Sequence, residues 1–147
     1  YVFIAQKLAS RYNLVFFGES DFHLKEDIYS AKFNCDLRQW GAIISQSDYF
    51  IGVDSVGQHM AKAHNIPGTV ILGSTFAENI SYSDYFNIFE KPGIKKYSPI
   101  RINGIDSHLA DRINDTRMQF SDEEFNKLVS SIEKDIQEKV ISKKGKK

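Results

Sequence analysis

The sequence predicts an α/β domain with a mainly parallel sheet. Short apolar runs alternate with helical patterns along the chain, and three of these runs end in a small polar turn. Residues 48–72 combine both features in the order strand, turn, helix, turn, strand. A parallel strand pair requires a crossover of about this length, usually a helix. We therefore predict a βαβ unit here and take the rest of the chain to be organised around it.

Composition is that of an ordinary globular protein. The 147 residues suffice for a single domain with a buried core, predicted over residues 1–141, followed by a basic tail at 142–147 that we expect to be disordered. Lys plus Arg equals Asp plus Glu at 19 each, so no overall charge favours nucleic acid as a partner. The single cysteine, Cys35, excludes an internal disulfide, and no Cys/His cluster has the spacing of a zinc site.

No apolar stretch approaches the roughly 18 residues that a membrane span requires, and no secretory signal is visible. We therefore expect a cytoplasmic protein.

The opening of the chain predicts a helix that leads into a strand. Apolar residues recur at helical spacing through residues 2–12, and Leu14 to Phe17 forms a short apolar run before Gly18-Glu19-Ser20. A weaker pattern predicts a second strand near Ile28 to Phe33. Because the helical pattern already begins at Val2, we expect the chain to be a piece of a longer protein.

The next elements lead into the central unit and complete it. Asp36 is a good N-cap for a helix with Leu37, Trp40, Ile43 and Ile44 on one face. The central unit then follows as a strand over residues 49–53, the turn at Asp54, a helix over 59–64, a strand over 69–72 and a turn over 73–75.

The last third of the chain is irregular and then helical. Residues 76–115 are rich in aromatic residues, Asn, Ser and Asp, with short strands predicted at 87–89 and 99–102. Loops this long in a compact domain are usually functional or covered by a partner. Ser121 and Glu124 form a capping-box pattern, and apolar residues at helical spacing continue to Val140. We therefore predict a long amphipathic helix at the end of the domain.

Three small polar turns follow predicted strands, and we expect the chemistry there. They are Gly18-Glu19-Ser20, Asp54-Ser55-Val56-Gly57 and Gly73-Ser74-Thr75. In a parallel sheet the carboxyl ends of the strands open at one edge, where ligands bind. The middle turn leads into a helix whose first amides are unpaired and carry a partial positive charge, so it can accept a phosphate. Hydroxyl donors from Ser74 and Thr75 can assist.

Two further side chains are candidates, and each candidate has a plainer interpretation. His59 lies one helical turn inside the helix, where it can donate to a phosphate or hydroxyl, and Arg38 lies near the start of the preceding helix. The alternatives are simple N-capping for Asp54-Ser55, a satisfied half-buried histidine for His59 and a solvated surface residue for Arg38. No Walker P-loop, G-x-G-x-x-G, G-x-S-x-G or H-E-x-x-H motif is present.

The central motif resembles the carboxyl-terminal half of the heptosyltransferase-like glycosyltransferases, family nine, which have the GT-B fold. Members carry D-[ST]-G-x-x-H-[LM]-A-A-A, a break, an apolar strand and G-x-T. This chain has V-D-S-V-G-Q-H-M-A-K-A and then N-I-P-G-T-V-I-L-G-S-T. The flanking elements are similar in order. Val56 stands where glycine usually follows, with Gly57 one place later, and Arg38-Gln39 stand where a glutamate often holds the ribose.

The resemblance implies a Rossmann-like three-layer domain that binds a nucleotide-diphosphate sugar for inverting, metal-independent transfer to a saccharide or lipid-linked acceptor. The nucleotide sugar is a substrate, and no cofactor or metal is implied. The implied donor-binding residues are Asp54, Ser55, Val56, Gly57, His59, Ser74 and Thr75, together with Gly18 and Arg38. In the family the acceptor and the general base belong to the amino-terminal half, which this sequence lacks. The catalytic residue is therefore unassigned, and we expect this chain alone to be inactive in transfer.

Two other functions stay open. A nucleotide-sugar 2-epimerase shares the fold and a D-S-G-G-x-Q-E-E-A turn, but this chain has His59-Met60 where two carboxylates would stand. A non-catalytic interaction or structural domain would use the aromatic loop as a contact surface. The aromatic residues of that loop are Tyr82, Tyr85, Phe86, Phe89 and Tyr97, which can equally pack against the core of the domain or the absent half.

Overall fold

The computed structural model describes residues 2–17, 28–31, 36–94, 96 and 119–142, and it shows a mixed α/β fold. The elements are α1 (Val2–Leu8), β1 (Leu14–Phe17), β2 (Ile28–Ala31), α2 (Leu37–Ser45), β3 (Phe50–Gly52), α3 (Val56–Ala63), β4 (Gly68–Leu72), α4 (Ala77–Ile80), β5 (Asn87–Glu90) and α5 (Asp122–Ile136), which continues as a π-helical turn (Gln137–Ile141). The chain divides into two compact units, Tyr1–Ile43 and Ile44–Lys147. The prediction of one domain over residues 1–141 stays a prediction.

The first unit contains α1 and the parallel pair β1–β2. Leu14 pairs with Ile28 and Phe17 with Ala31, so the weakly predicted second strand is present. Helix α1 buries one apolar face, as its spacing predicts, but it is shorter than the predicted 2–12. It ends at Leu8 because the chain turns there, and the amides of Arg11 and Tyr12 both donate to the Leu8 carbonyl.

Helix α2 begins at a reciprocal cap. The Gln39 amide donates to Oδ1 of Asp36 at 2.8 Å, and the Asp36 amide donates to Oε1 of Gln39 at 2.9 Å. These bonds satisfy donors that a helix start otherwise leaves unpaired. The predicted N-cap is confirmed, and Gln39 takes part in the cap.

The second unit is built on a three-stranded parallel sheet in the order β3–β4–β5, flanked by helices. All five residues of β4 are buried, which fits its continuous apolar sequence and its central place. The core also takes apolar side chains from the helices and loops, namely Ile44, Ala61, Phe86, Leu128, Val129, Ile132 and Ile136. The predicted α/β, Rossmann-like fold class with a parallel sheet is confirmed.

The register places the strand ends where the turns predict them. Phe50 pairs with Gly68 and Thr69 with Asn87, and Leu72 is opposite Glu90. The turns that follow β3, β4 and β5 therefore open at one edge of this sheet. The predicted strand at 87–89 is present as β5, whereas the one predicted at 99–102 lies outside the described residues.

A buried polar network lies at the opposite edge, where the strands begin. The Tyr49 hydroxyl donates to Oδ2 of Asp135 at 2.6 Å and lies 2.7 Å from the Thr69 hydroxyl. The Asn87 amide donates at 3.0 Å to both the Thr69 and the Ser131 hydroxyls. Burial, reinforced by the Asp135 carboxylate, raises the pKa of Tyr49. The network joins α5 to all three strands of the second unit.

Helix α5 begins at the predicted capping box. The Glu124 amide donates to the Ser121 hydroxyl, and the Ser121 amide donates to the Glu124 carboxylate. That second bond, with help from Lys91, lowers the pKa of Glu124. Of the tail predicted to be disordered, Ser142 is described, and its hydroxyl donates to the Gln137 carbonyl at 2.7 Å. Residues 143–147 lie outside the described part of the chain. Within that described part, no helix has the length and apolarity to cross a bilayer.

Candidate functional site

The turn between β3 and α3 carries the predicted anion site. Ser55 is the N-cap residue of α3, with φ −136° and ψ 179°, but its side chain makes no capping hydrogen bond. Its amide donates instead to the Val53 carbonyl at 2.8 Å. Gly57 is buried, whereas Val56, the first residue of the helix, is 39% exposed. The Ser55 hydroxyl therefore does not cap α3, and the plainer interpretation, side-chain capping alone, does not account for this residue.

The structure brings this turn together with the one that follows β4. The Thr75 hydroxyl donates to Oδ2 of Asp54 at 3.1 Å, across 21 residues of sequence. Asp54 is exposed, Thr75 is half-buried and Ser74 is 9% exposed. Of the two hydroxyls predicted as ligand donors, that of Thr75 is therefore the more accessible, and it already orients the Asp54 carboxylate.

Sequence reasoning missed a lysine at this edge. The ammonium group of Lys96 donates to the carbonyls of Gly73 at 3.2 Å and Thr75 at 3.1 Å, and it pairs with Glu90 at 3.2 Å. The Lys96 side chain is only 20% exposed. It fixes the turn after β4 and places a positive charge beside Thr75. The only signal in the sequence is a pair of lysines shortly after β5, a pattern that is common on protein surfaces.

His59 is exposed, so it is not the half-buried histidine of the plainer interpretation. Its Nδ1 is joined by a 2.9 Å hydrogen bond to the hydroxyl of Tyr82, and the two rings meet edge to face with centroids 5.6 Å apart. The ammonium of Lys62, one turn further along α3, lies 3.7 Å from the centre of the Tyr85 ring. Two tyrosines from the loop between α4 and β5 therefore contact the face of α3 that carries His59, which itself stays exposed.

Gln58 is a second residue that sequence reasoning missed. It is 1% exposed, and its side-chain amide donates to the Ile80 carbonyl at 2.8 Å while its oxygen accepts from the Ser81 hydroxyl at 2.7 Å. A polar residue on the buried face of an amphipathic helix is the signal that points to it. These bonds attach the segment before Tyr82 to the start of α3.

Two of the predicted site residues are not brought together with the others by the described structure. Gly18 lies outside the described residues. Arg38 is exposed on α2, within the first unit. Within the part of the chain that is described, no group of three or more His, Cys, Asp and Glu side chains is arranged to hold a metal ion.

The aromatic loop packs largely on the second unit itself. Phe86 is 4% exposed, and its ring lies 4.9 Å from that of Tyr85, 6.1 Å from that of Tyr82 and 6.4 Å from that of Phe50. Burial raises the pKa of Tyr85. Tyr97, the last member of the predicted contact surface, lies outside the described residues.

Comparison of the chain with family models, with curated proteins and with solved structures found no match.

Proposed function

We propose that this chain is the donor-binding domain of a heptosyltransferase-like glycosyltransferase and binds a nucleotide-diphosphate sugar at the start of α3. The observation that carries the proposal is the hydrogen bond from Thr75 to Asp54. It joins two polar turns at the carboxyl edge of a parallel sheet, directly beside a helix N-terminus. Ligands of open α/β sheets bind in this position.

The groups at this edge suit the two halves of such a ligand. The first amides of α3, approached past Ser55 and Gly57, suit the diphosphate because they combine donors with a partial positive charge. The Asp54 carboxylate repels phosphate but accepts hydrogen bonds from hydroxyls, so it suits the sugar or the ribose. Lys96, whose ammonium pairs with Glu90, holds in place the turn that carries Thr75.

The chemistry that follows is displacement at the anomeric carbon. A hydroxyl oxygen of the acceptor forms the new bond as the bond to the diphosphate breaks, and negative charge grows on the departing nucleoside diphosphate. Helix-end amides that are already in place stabilise that charge without reorganising. The proton of the acceptor hydroxyl needs a base, and in the family that the sequence resembles this base belongs to the amino-terminal half. We therefore expect binding, and no transfer, from this chain alone.

A second candidate, a non-catalytic module that retains the fold, is favoured by Val56. This residue is 39% exposed at the first position of α3, where the resemblance calls for glycine. An isopropyl group there narrows the approach to the helix amides. If the site binds a diphosphate, Val56→Gly should raise the affinity, whereas a module that binds no nucleotide gives no signal with either residue.

Calorimetry on the complete chain tests the proposal. We expect ADP-glucose or UDP-glucose to bind, and Asp54→Asn to weaken that binding about tenfold, because a carboxylate is the stronger acceptor for hydroxyls. His59→Ala should weaken it as well. Asp84→Asn is the matched control, since Asp84 is an exposed carboxylate of the same unit outside the two turns. Flat titrations of the wild type with ADP, UDP and both sugars would overturn the proposal and favour the module.

A further inference from the structure

We infer that Tyr82 is a positioning residue that acts through His59. Its hydroxyl fixes the imidazole so that Nε2 carries the proton and faces away from Tyr82, as a donor for an anionic ligand. The identity of that ligand, the diphosphate of a nucleotide sugar, rests on the proposed function. The contact itself is independent of it, since the two side chains meet at 2.9 Å.

The geometry fixes which nitrogen is left for a ligand. Nδ1 of His59 is occupied by the Tyr82 hydroxyl, and Nε2 lies on the opposite side of the ring. A neutral imidazole has one donor and one acceptor nitrogen, so a hydroxyl that donates to Nδ1 leaves the proton on Nε2. His59 is exposed and lies one helical turn inside α3, and helical side chains lean toward the N-terminus, so we infer that this donor serves a ligand at the start of the helix.

The Tyr82 ring is held well enough to act in this way. It lies 6.1 Å from the ring of Phe86, which is 4% exposed, and the ammonium of Lys62 lies 5.8 Å from its centre. The residues just before it are attached to α3 by the buried Gln58, through the Ile80 carbonyl and the Ser81 hydroxyl. A side chain whose own position is fixed by packing and hydrogen bonds can orient its neighbour precisely enough for binding.

A hydroxyl also suits both charge states of the imidazole. If His59 gains a proton beside a bound diphosphate, both of its nitrogens become donors. The Tyr82 oxygen then accepts from Nδ1 while Nε2 still faces the anion. A backbone carbonyl in place of Tyr82 would accept only, and would therefore put the proton of the neutral ring on Nδ1.

The test uses Tyr82→Phe, which keeps the ring and removes the hydroxyl. In the ¹⁵N-labelled complete chain, at a pH where imidazole is neutral, the ring-nitrogen shifts of His59 report which nitrogen carries the proton. His59→Gln assigns the signals. We expect the proton on Nε2 in the wild type and a mixture of both forms in Tyr82→Phe. Affinity for ADP-glucose or UDP-glucose should fall about two- to fivefold, because only part of the variant population presents the Nε2 donor and the ring is no longer held in place. Tyr85→Phe should change neither measurement.

The two measurements separate this inference from the proposed function. Wild-type His59 shifts that Tyr82→Phe leaves unchanged would overturn the role of Tyr82. So would an unchanged affinity in that variant when the wild type binds. If the wild type binds neither nucleotide sugar, the proposed function fails and the ligand role of His59 fails with it. The shifts of the unliganded protein would then still show whether Tyr82 sets the proton on His59.

Discussion

Thr75 is the residue whose hydroxyl joins the two turns of the candidate site. Thr75→Val keeps the volume and removes the bond to Asp54. Because that bond ends on an exposed carboxylate, we expect the free energy of unfolding to change by less than about 1 kcal/mol. Affinity for the nucleotide sugar should fall about fivefold, since the Asp54 carboxylate loses its orientation. Urea unfolding and calorimetry measure the two effects.

Thr75→Ser provides the matched control because it retains the hydroxyl. Both variants retain the Thr75 carbonyl that accepts from Lys96, so the turn after β4 keeps that restraint. We expect Thr75→Ser to bind as the wild type does. Equal affinities of the valine and serine variants for the nucleotide sugar would show that the Thr75 hydroxyl does not contribute to binding.

Tyr49 gives a prediction about pH at the other edge of the sheet. Burial raises its pKa above the ordinary value of 10.0, so the folded state retains a proton that the unfolded state releases in alkali. The unfolded state then binds fewer protons, and stability falls as the pH rises above about 10, by at most about 1.4 kcal/mol per pH unit. Below that pH this contribution is fully present. Tyr49→Phe should abolish this part of the alkaline loss.

The measurement is the free energy of unfolding in urea at neutral pH and at about pH 11. At neutral pH Tyr49→Phe should cost about 1–3 kcal/mol, because Asp135 loses a buried hydrogen bond. At the higher pH the gap between variant and wild type should narrow. Asp135→Asn keeps Tyr49 and its burial, the largest cause of the raised pKa, so it should keep the alkaline loss. A gap that is constant with pH would contradict the prediction.

At the scale of the elements, the pairing of β3 with β4 depends on a glycine. Gly68 is opposite Phe50, and a Cβ added to it would overlap the Phe50 carbonyl oxygen and lie 2.9 Å from the Phe50 Cβ. Those atoms are part of, or bonded directly to, the backbone of β3 and cannot rotate away. Gly68→Ala should therefore push β3 and β4 apart at a cost of about 1–3 kcal/mol. Urea unfolding measures the loss.

Gly52→Ala is the comparison within the same strand pair. The nearest atoms that a Cβ at Gly52 would meet belong to the ring of Phe50, at the far end of a side chain that can rotate. We therefore expect a smaller loss of stability than at Gly68. Equal losses would contradict the prediction, because they would show that the cost does not depend on whether the added Cβ displaces a side-chain ring or a backbone carbonyl.

The elements that sequence predicted best are those with local signals. The caps at Asp36 and Ser121 and the buried strand β4 each follow from residues within a few positions of one another. The topology of a parallel sheet also predicted that the turns holding Asp54 and Thr75 would meet. The early end of α1 at Leu8 was missed because apolar spacing continues past it while the backbone turns.

The contacts that sequence did not predict depend on how a loop packs over a helix. The bond between His59 and Tyr82 spans 23 residues, as does that between Gln58 and Ser81. Neither residue type nor spacing marks such pairs, because many loop conformations between α3 and β5 would satisfy the same sequence. Lys96 is similar, since its three acceptors become neighbours only when β4 and β5 pair.

At the scale of the whole molecule, the contacts of the candidate site that the structure describes all lie in one of the two units. Asp54, His59, Thr75 and Lys96 all belong to the unit that starts at Ile44, which has its own sheet and core. The first predicted turn, at Gly18, belongs to the other unit. A fragment of residues 36–147 retains α2 with its cap and removes that turn, so it measures what the turn contributes.

We expect this fragment to unfold cooperatively in urea and to bind the nucleotide sugar as tightly as the complete chain, because Asp54, Thr75 and the start of α3 all belong to the second unit. Gly18→Val in the complete chain is the matched control, because it alters the turn and keeps both units. A fragment that folds and binds as tightly as the complete chain would place the whole donor site in the second unit. Weakened binding in the fragment with wild-type binding by Gly18→Val would assign the contribution to other residues before Asp36.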